Sequence, residues 1–131
     1  MKTQYIVSTD LDGTLLNHHD YQWQDAEQAL TSLASHHIPI IINTSKTRLE
    51  VANLIKALPV PEQSYVVENG SAIVLSAEHA NQIHLKSQHE NFQYIDGKPV
   101  WVLGENRASL CQWLYKLREK YDWDFQGYQD W

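Results

Sequence analysis

Asp10 and Asp12 stand two residues apart in the run Asp10-Leu11-Asp12-Gly13-Thr14-Leu15-Leu16. In an extended stretch, side chains two apart point the same way, so both carboxylates can approach one phosphate. A carboxylate can attack phosphorus and form an acyl phosphate, which splits one hard step into two easier ones. A second acid can protonate the leaving alkoxide and then activate water. Two acids this close call for a cation, and hard oxygen ligands suit Mg²⁺ with several waters retained. A bare Asp-x-Asp is more often an ordinary acidic turn. Here the strand before it, the Gly-Thr after it and a second apolar strand downstream favour chemistry.

Positioning these acids falls to the elements around them. Tyr5-Ile6-Val7-Ser8-Thr9 is apolar and β-branched, and reads as a first strand that delivers Asp10 to its carboxyl end, where open α/β sheets bind ligands. Trp23, Ala26, Ala29, Leu30, Leu33 and Ala34 recur at helical spacing, so 22–36 reads as an amphipathic helix. Ile38-Pro39-Ile40-Ile41-Ile42 has the continuous apolar character of a strand buried in a parallel sheet. Thr47-Arg48-Leu49-Glu50 carries a capping-box pattern that opens a helix ending near Leu58-Pro59. Tyr65-Val66-Val67 is a third strand, closed by Glu68-Asn69-Gly70. The β-α-β-α-β order predicts an α/β fold, Rossmann-like and three-layered, with right-handed crossovers.

The pattern changes beyond residue 72. Ala72–Leu75, Ile83–Leu85, Phe92–Ile95 and Val100–Leu103 read as short strands, with Asp96-Gly97-Lys98-Pro99 as a four-residue turn between the last two. A helix with Leu110, Cys111, Leu114, Leu117 and Tyr121 on one face follows. This α+β character places a boundary near residue 78, dividing the chain into 1–77 and 78–131.

The 131 residues, 43% of them hydrophobic, suit one domain or one domain with a small appendage. No window approaches the roughly 18 apolar residues of a membrane span, and the first residues read as a strand, not a signal peptide. A formal charge of −6 without any Lys/Arg cluster speaks against nucleic acid. The single cysteine, Cys111, fits a reducing cytoplasm. The Asn43-Thr44-Ser45 and Asn69-Gly70-Ser71 sequons then carry no meaning.

The run Asp10–Leu16 resembles the first motif of the haloacid dehalogenase-like phosphatases. Within these, Tyr21-x-Trp23, the stretch Ile42-Asn43-Thr44-Ser45-Lys46-Thr47-Arg48-x-Glu50-Val51, and Val67-Glu68-Asn69-Gly70-Ser71-Ala72-Ile73 resemble the mannosyl-3-phosphoglycerate phosphatases. The resemblance implies Asp10 as nucleophile and Mg²⁺ ligand. It implies Asp12 as general acid/base that also offers its carbonyl to the metal, and Thr44 as a hydroxyl on the phosphate. Thr14, in the first motif, joins the phosphate-binding set. Ser45 and Lys46 lie at the opening of the next helix, where backbone N–H groups favour an anion. A lysine there opposes the macrodipole, which favours an anionic partner over plain solvation. Asn69 either orients substrate or simply makes its Asn-Gly turn. The implied activity is a cytoplasmic, magnesium-dependent hydrolase acting on a phosphorylated sugar or sugar-glycerate.

The seven histidines show no metal-site spacing and read as surface residues. Asp122-Trp123-Asp124 repeats the Asp-x-Asp spacing without the Gly-Thr and reads as a helix exit. Cys111 reads as core, and Trp113 and Tyr115 as cap packing. The family pattern also requires a third-motif Lys and a fourth-motif acidic pair beyond the cap, and neither is found downstream of residue 72. Three core strands would moreover leave a sheet edge open to self-association. Two further readings therefore stand beside the enzyme: a catalytically silent fragment or truncated homologue that binds ligand or associates, and a phosphatase for another phosphosugar.

Overall fold

The computed structural model describes residues 5–82 and 91–124. β1 (Val7–Thr9) runs into the Asp10 turn, and a single 3-10 turn (Gln24–Ala26) leads into α1 (Glu27–Ser35). β2 (Ile40–Asn43), α2 (Arg48–Ile55) and β3 (Tyr65–Val67) complete the expected order. After a second 3-10 turn come β4 (Ala72–Val74), α3 (Ala77–Gln82), β5 (Phe92–Ile95), β6 (Lys98–Val102) and α4 (Arg107–Tyr121). The strands form one six-stranded sheet in the order β1-β2-β3-β4-β6-β5. The first three are parallel and the others antiparallel. This is a mixed α/β fold whose parallel half has the expected strand order. Sheet hydrogen bonding continues past residue 78 through β6 and β5.

The sheet has two unlike faces, separated by the two-residue side-chain period. Ile40, Ile42, Tyr65, Val67, Val74 and Val100 share one face by register and belong to one buried cluster with Leu11, Leu30 of α1 and Val51 of α2. Both crossover helices thus cover this face. The other carries Ile41, Val66, Ile73, Trp101 and Phe92, all half-exposed and outside that cluster. β1 has β2 as its only described partner, so its outer edge is open among the described residues.

Local chemistry explains several elements. Thr47 and Glu50 form the anticipated capping box: Thr47 N donates to Glu50 Oε2 at 2.8 Å and the Thr47 hydroxyl donates to the same oxygen at 2.6 Å. These bonds hold the exposed Glu50 carboxyl below its usual pKa. Asn106 caps α4 by accepting from Ser109 N at 2.9 Å. The helix closes at Asp122, which takes left-handed φ, so Asp122-Trp123-Asp124 is a helix exit as read.

Four readings need correction. The β5–β6 turn holds two residues, Asp96 and Gly97, both at positive φ, while Lys98 and Pro99 already pair with Ile95 and Tyr94. That is the geometry that matches strand twist with the fewest residues. Pro99 is tolerated because the ladder to β4 begins one residue later, at Val100. Residues 77–82 are helical, an element that the boundary placed near residue 78 does not provide for. His79 of this α3 is half-buried, with its Nδ1 2.7 Å from the Oγ of buried Ser64, because Ser64 and Ser76 need polar partners there. Cys111 is half-exposed, since α4 buries none of its residues. The expected strand at Ile83–Leu85, with His84 and His89, lies outside the described residues. His18, His19, His36 and His37 are exposed, as anticipated.

Candidate active site

Leu11 is why the two acids are presented as they are. Its side chain is 0% exposed, drawn into the core between Asp10 and Asp12. Its carbonyl accepts from Thr14 N and Leu16 N at 3.2 and 2.8 Å, which folds the motif into a tight turn. Gly13 sits at φ +74, a conformation that L side chains rarely adopt, and a Cβ there would meet the His18 ring at 2.2 Å. The backbone conformation favours glycine, and any Cβ there would also have to displace the exposed His18 ring. Within the turn, Asp10 Oδ1 accepts from Leu11 N at 2.6 Å and the rest of the carboxylate faces solvent.

Asp10 lies at the end of β1, beside the ends of β2 and β3. Thr44 N donates to Val66 O, Asn69 N donates to Thr44 O, and Glu68 N donates to Lys46 O, each at 3.1 Å. These bonds stitch the loop after β2 to the loop after β3. The Asn43 amide donates to Ser8 Oγ at 2.5 Å and fixes β2 against β1 next to Asp10. The result is an open cleft of about 430 Å³ lined by Asp10, Asn43, Thr44, Ser45, Val66, Asn69 and Gly70. Asn69 adopts φ 54, ψ 36, so it serves the left-handed turn and lines the cleft at once.

Asp12 faces a different partner. Its Oδ1 is buried and has Lys46 Nζ, 2.8 Å away, as its polar neighbour. The ammonium also stands over the Tyr21 ring, 5.7 Å from its centroid. The contact with Asp12 raises the Lys46 pKa against a smaller opposing effect of burial, so the ammonium stays charged at neutral pH. With side chains 25% and 38% exposed, such a pair contributes about 0–1 kcal/mol to stability. Lys46 N also donates to Thr44 Oγ1 at 3.1 Å, which ties the buried threonine to the start of α2.

The residues singled out in the sequence therefore fall into three places. Asp10, Thr44, Ser45 and Asn69 line one cleft. Asp12 and Lys46 pair with one another and do not line it. Thr14 is exposed and lines a separate depression with Asn17, His18, His19 and Asp25. Tyr21 and Asn43 were read only as parts of motifs. The contact of Tyr21 with Lys46 depends on a backbone at φ 55 that nothing in the sequence announces.

The donor set suits a hard cation. Asp10 offers free carboxylate oxygen, and the hydrogen bonds of the turn go to the carbonyls of Leu11 and Leu16, none to that of Asp12. These two oxygens cover part of a Mg²⁺ shell, and Mg²⁺ commonly fills the remainder with water. Among the described residues no group of three His, Cys, Asp or Glu side chains converges, and no helix is long and apolar enough to cross a membrane.

The chain aligns with the structure of BT1666 from Bacteroides thetaiotaomicron, described among phosphatases of the haloalkanoate dehalogenase superfamily. The TM-score is 0.58 at 20% identity, over 92% of this chain and 37% of that one. A haloacid dehalogenase-like hydrolase from B. subtilis aligns with a TM-score of 0.44 at 19% identity, over 93% of this chain and 47% of its own. The chain spans less than half the length of either structure. Residues 7–110 match the haloacid dehalogenase-like hydrolase family, and the chain belongs to it.

Proposed function

We propose that this chain carries the nucleophile side of a magnesium-dependent phosphomonoesterase site. The observation that supports this best is the free Asp10 carboxylate opening onto a cleft shared with Thr44, Ser45 and Asn69, at the carboxyl ends of three parallel strands. The carboxylate oxygen of Asp10 attacks phosphorus and the ester oxygen leaves. Asp12 gives that oxygen its proton and then takes one from the water that cleaves the acyl phosphate. The Thr44 hydroxyl, which itself accepts from Lys46 N, and the backbone N–H of Ser45 would receive the phosphoryl oxygens, while Thr14, in its separate depression, would reach a bound phosphate only if the Asp10 turn moved. Bound Mg²⁺ would neutralise charge between Asp10 and the phosphate.

The substrate class we propose is a phosphorylated sugar or sugar-glycerate. Mannosyl-3-phosphoglycerate is favoured by the Thr44-Ser45-Lys46-Thr47-Arg48 run, and another phosphosugar is the alternative. Residues 78–131 would begin a cap over the sugar, in a cytoplasmic protein whose open β1 edge takes a further strand or a second copy. The test is Mg²⁺-dependent release of phosphate from an aryl phosphate. Asp10→Asn should abolish it, since the amide is no nucleophile, and turnover retained in that variant rejects Asp10. A second reading, a chain that binds phosphate without turning it over, is favoured by the engagement of Asp12 with Lys46. Phosphate binding with no release from an ester would support it.

A further inference from the structure

Lys46 brings a flexible cation to a site whose ligand is an anion, yet its ammonium rests on Asp12, away from the Asp10 cleft. Three features make this more than a surface ion pair. Asp12 Oδ1 is a buried oxygen with no hydrogen-bonded partner besides this ammonium contact. Ser45, the residue before Lys46, lines the cleft itself, so the lysine stem begins beside the place where a phosphate would sit. Finally, the backbone spends conformational energy on the arrangement. Tyr21, a bulky residue that is 59% exposed, takes φ +55 and carries its ring under the ammonium.

The loop that carries Tyr21 is built to hold it. Tyr21 N donates to Asn17 O at 3.0 Å, Asn17 N donates to Gln22 O at 2.8 Å, and the Asn17 amide donates to Asp25 at 2.7 Å. A ring attracts a cation over its face within about 6 Å of the centroid, so at 5.7 Å the Tyr21 ring holds the ammonium only loosely and can remain its neighbour as it leaves Asp12. A four-carbon stem ending in a point charge is suited to such a swing, where a guanidinium would be fixed by its fork.

We propose that Lys46 is an exchangeable cation of this site: in the free protein it pairs with Asp12, and on phosphate binding its ammonium moves to the phosphoryl oxygens, guided by the Tyr21 ring. The inference rests on the phosphate-binding part of the reading above. A single movement would offset one of the two charges of the incoming dianion and free the Asp12 carboxylate to face the ester oxygen. Nothing is transferred covalently; one ion pair is exchanged for another.

The test is calorimetric titration of the full chain with inorganic phosphate, in the wild type, Lys46→Met, Asp12→Asn and the double variant. Lys46→Met should weaken phosphate binding by about tenfold or more, as expected for loss of one charge-assisted contact. Asp12→Asn should tighten it several-fold, because Lys46 is released, and that gain should largely vanish in the Lys46→Met background. Equal gains in both backgrounds would mean simple relief of repulsion and would overturn the exchange. So would Lys46→Met binding within about twofold of wild type, including the case in which that variant only melts earlier. A wild type that binds no phosphate overturns this inference and the phosphatase reading together. Lys46-dependent binding without ester hydrolysis leaves the exchange standing and sinks the phosphatase. Asp10-dependent hydrolysis with Lys46-independent binding does the reverse.

Discussion

The parallel half of the sheet and the helix that closes the described chain make opposite uses of similar sequences. α1 and α2 connect neighbouring parallel strands, so each is forced back across the sheet, and each places a residue, Leu30 or Val51, in the common core. α4 carries more large apolar residues than either helix and buries none. Leu110, Leu114 and Tyr121 are about half exposed and Trp113 is 70% exposed. No described strand follows α4 to draw it over the sheet. An apolar stripe thus states what a helix would bury, whereas chain connection decides whether it does.

The comparison is broken most sharply at the core beneath the site. Leu11→Ala removes a 0% exposed side chain and should cost about 2–5 kcal/mol in denaturant unfolding. Leu11 also spaces Asp10 from Asp12, so any aryl phosphatase activity should fall further than the unfolded fraction explains. Gly13→Ala comes next. The left-handed φ alone costs about 1–2 kcal/mol, and the Cβ must displace the His18 ring. A His18→Ala change in the Gly13→Ala background should recover the steric share and leave the backbone share, which a double-mutant cycle reads directly.

What the sequence made legible follows the same division. Short-range features were plain: the Asp10–Leu16 turn, the Thr47–Glu50 capping box and the three parallel strands each depend on residues close in the chain. The partner of Lys46 was not. A lysine at a helix start implied an anion, but Asp12 reaches it only through the register of β1 on β2. His79 was misjudged for the same reason, since its partner Ser64 lies in the approach to another strand. α3 escaped because six residues are too few for a helical period to register. The two-residue turn was available in the Asp96-Gly97 dipeptide, which is the strongest short hairpin signal.

The smallest effects should fall on α4, and they sharpen the contrast. Asn106→Ala removes the acceptor for Ser109 N and should cost α4 about 1 kcal/mol. Because α4 contributes nothing to the buried cluster, that cost should appear as faster amide exchange within 107–121 while the Leu30 and Val51 regions keep their protection. Trp113→Ser tests the point at its limit. A tryptophan 70% exposed on an unburied helix contributes little to folding, so the change should move stability by less than about 0.5 kcal/mol. It should also lower any self-association that sedimentation detects, since removing a large exposed aromatic group takes away the surface that would drive it. A loss of more than about 2 kcal/mol would mean that the α4 stripe is covered in solution. The two halves of the molecule would then obey one rule.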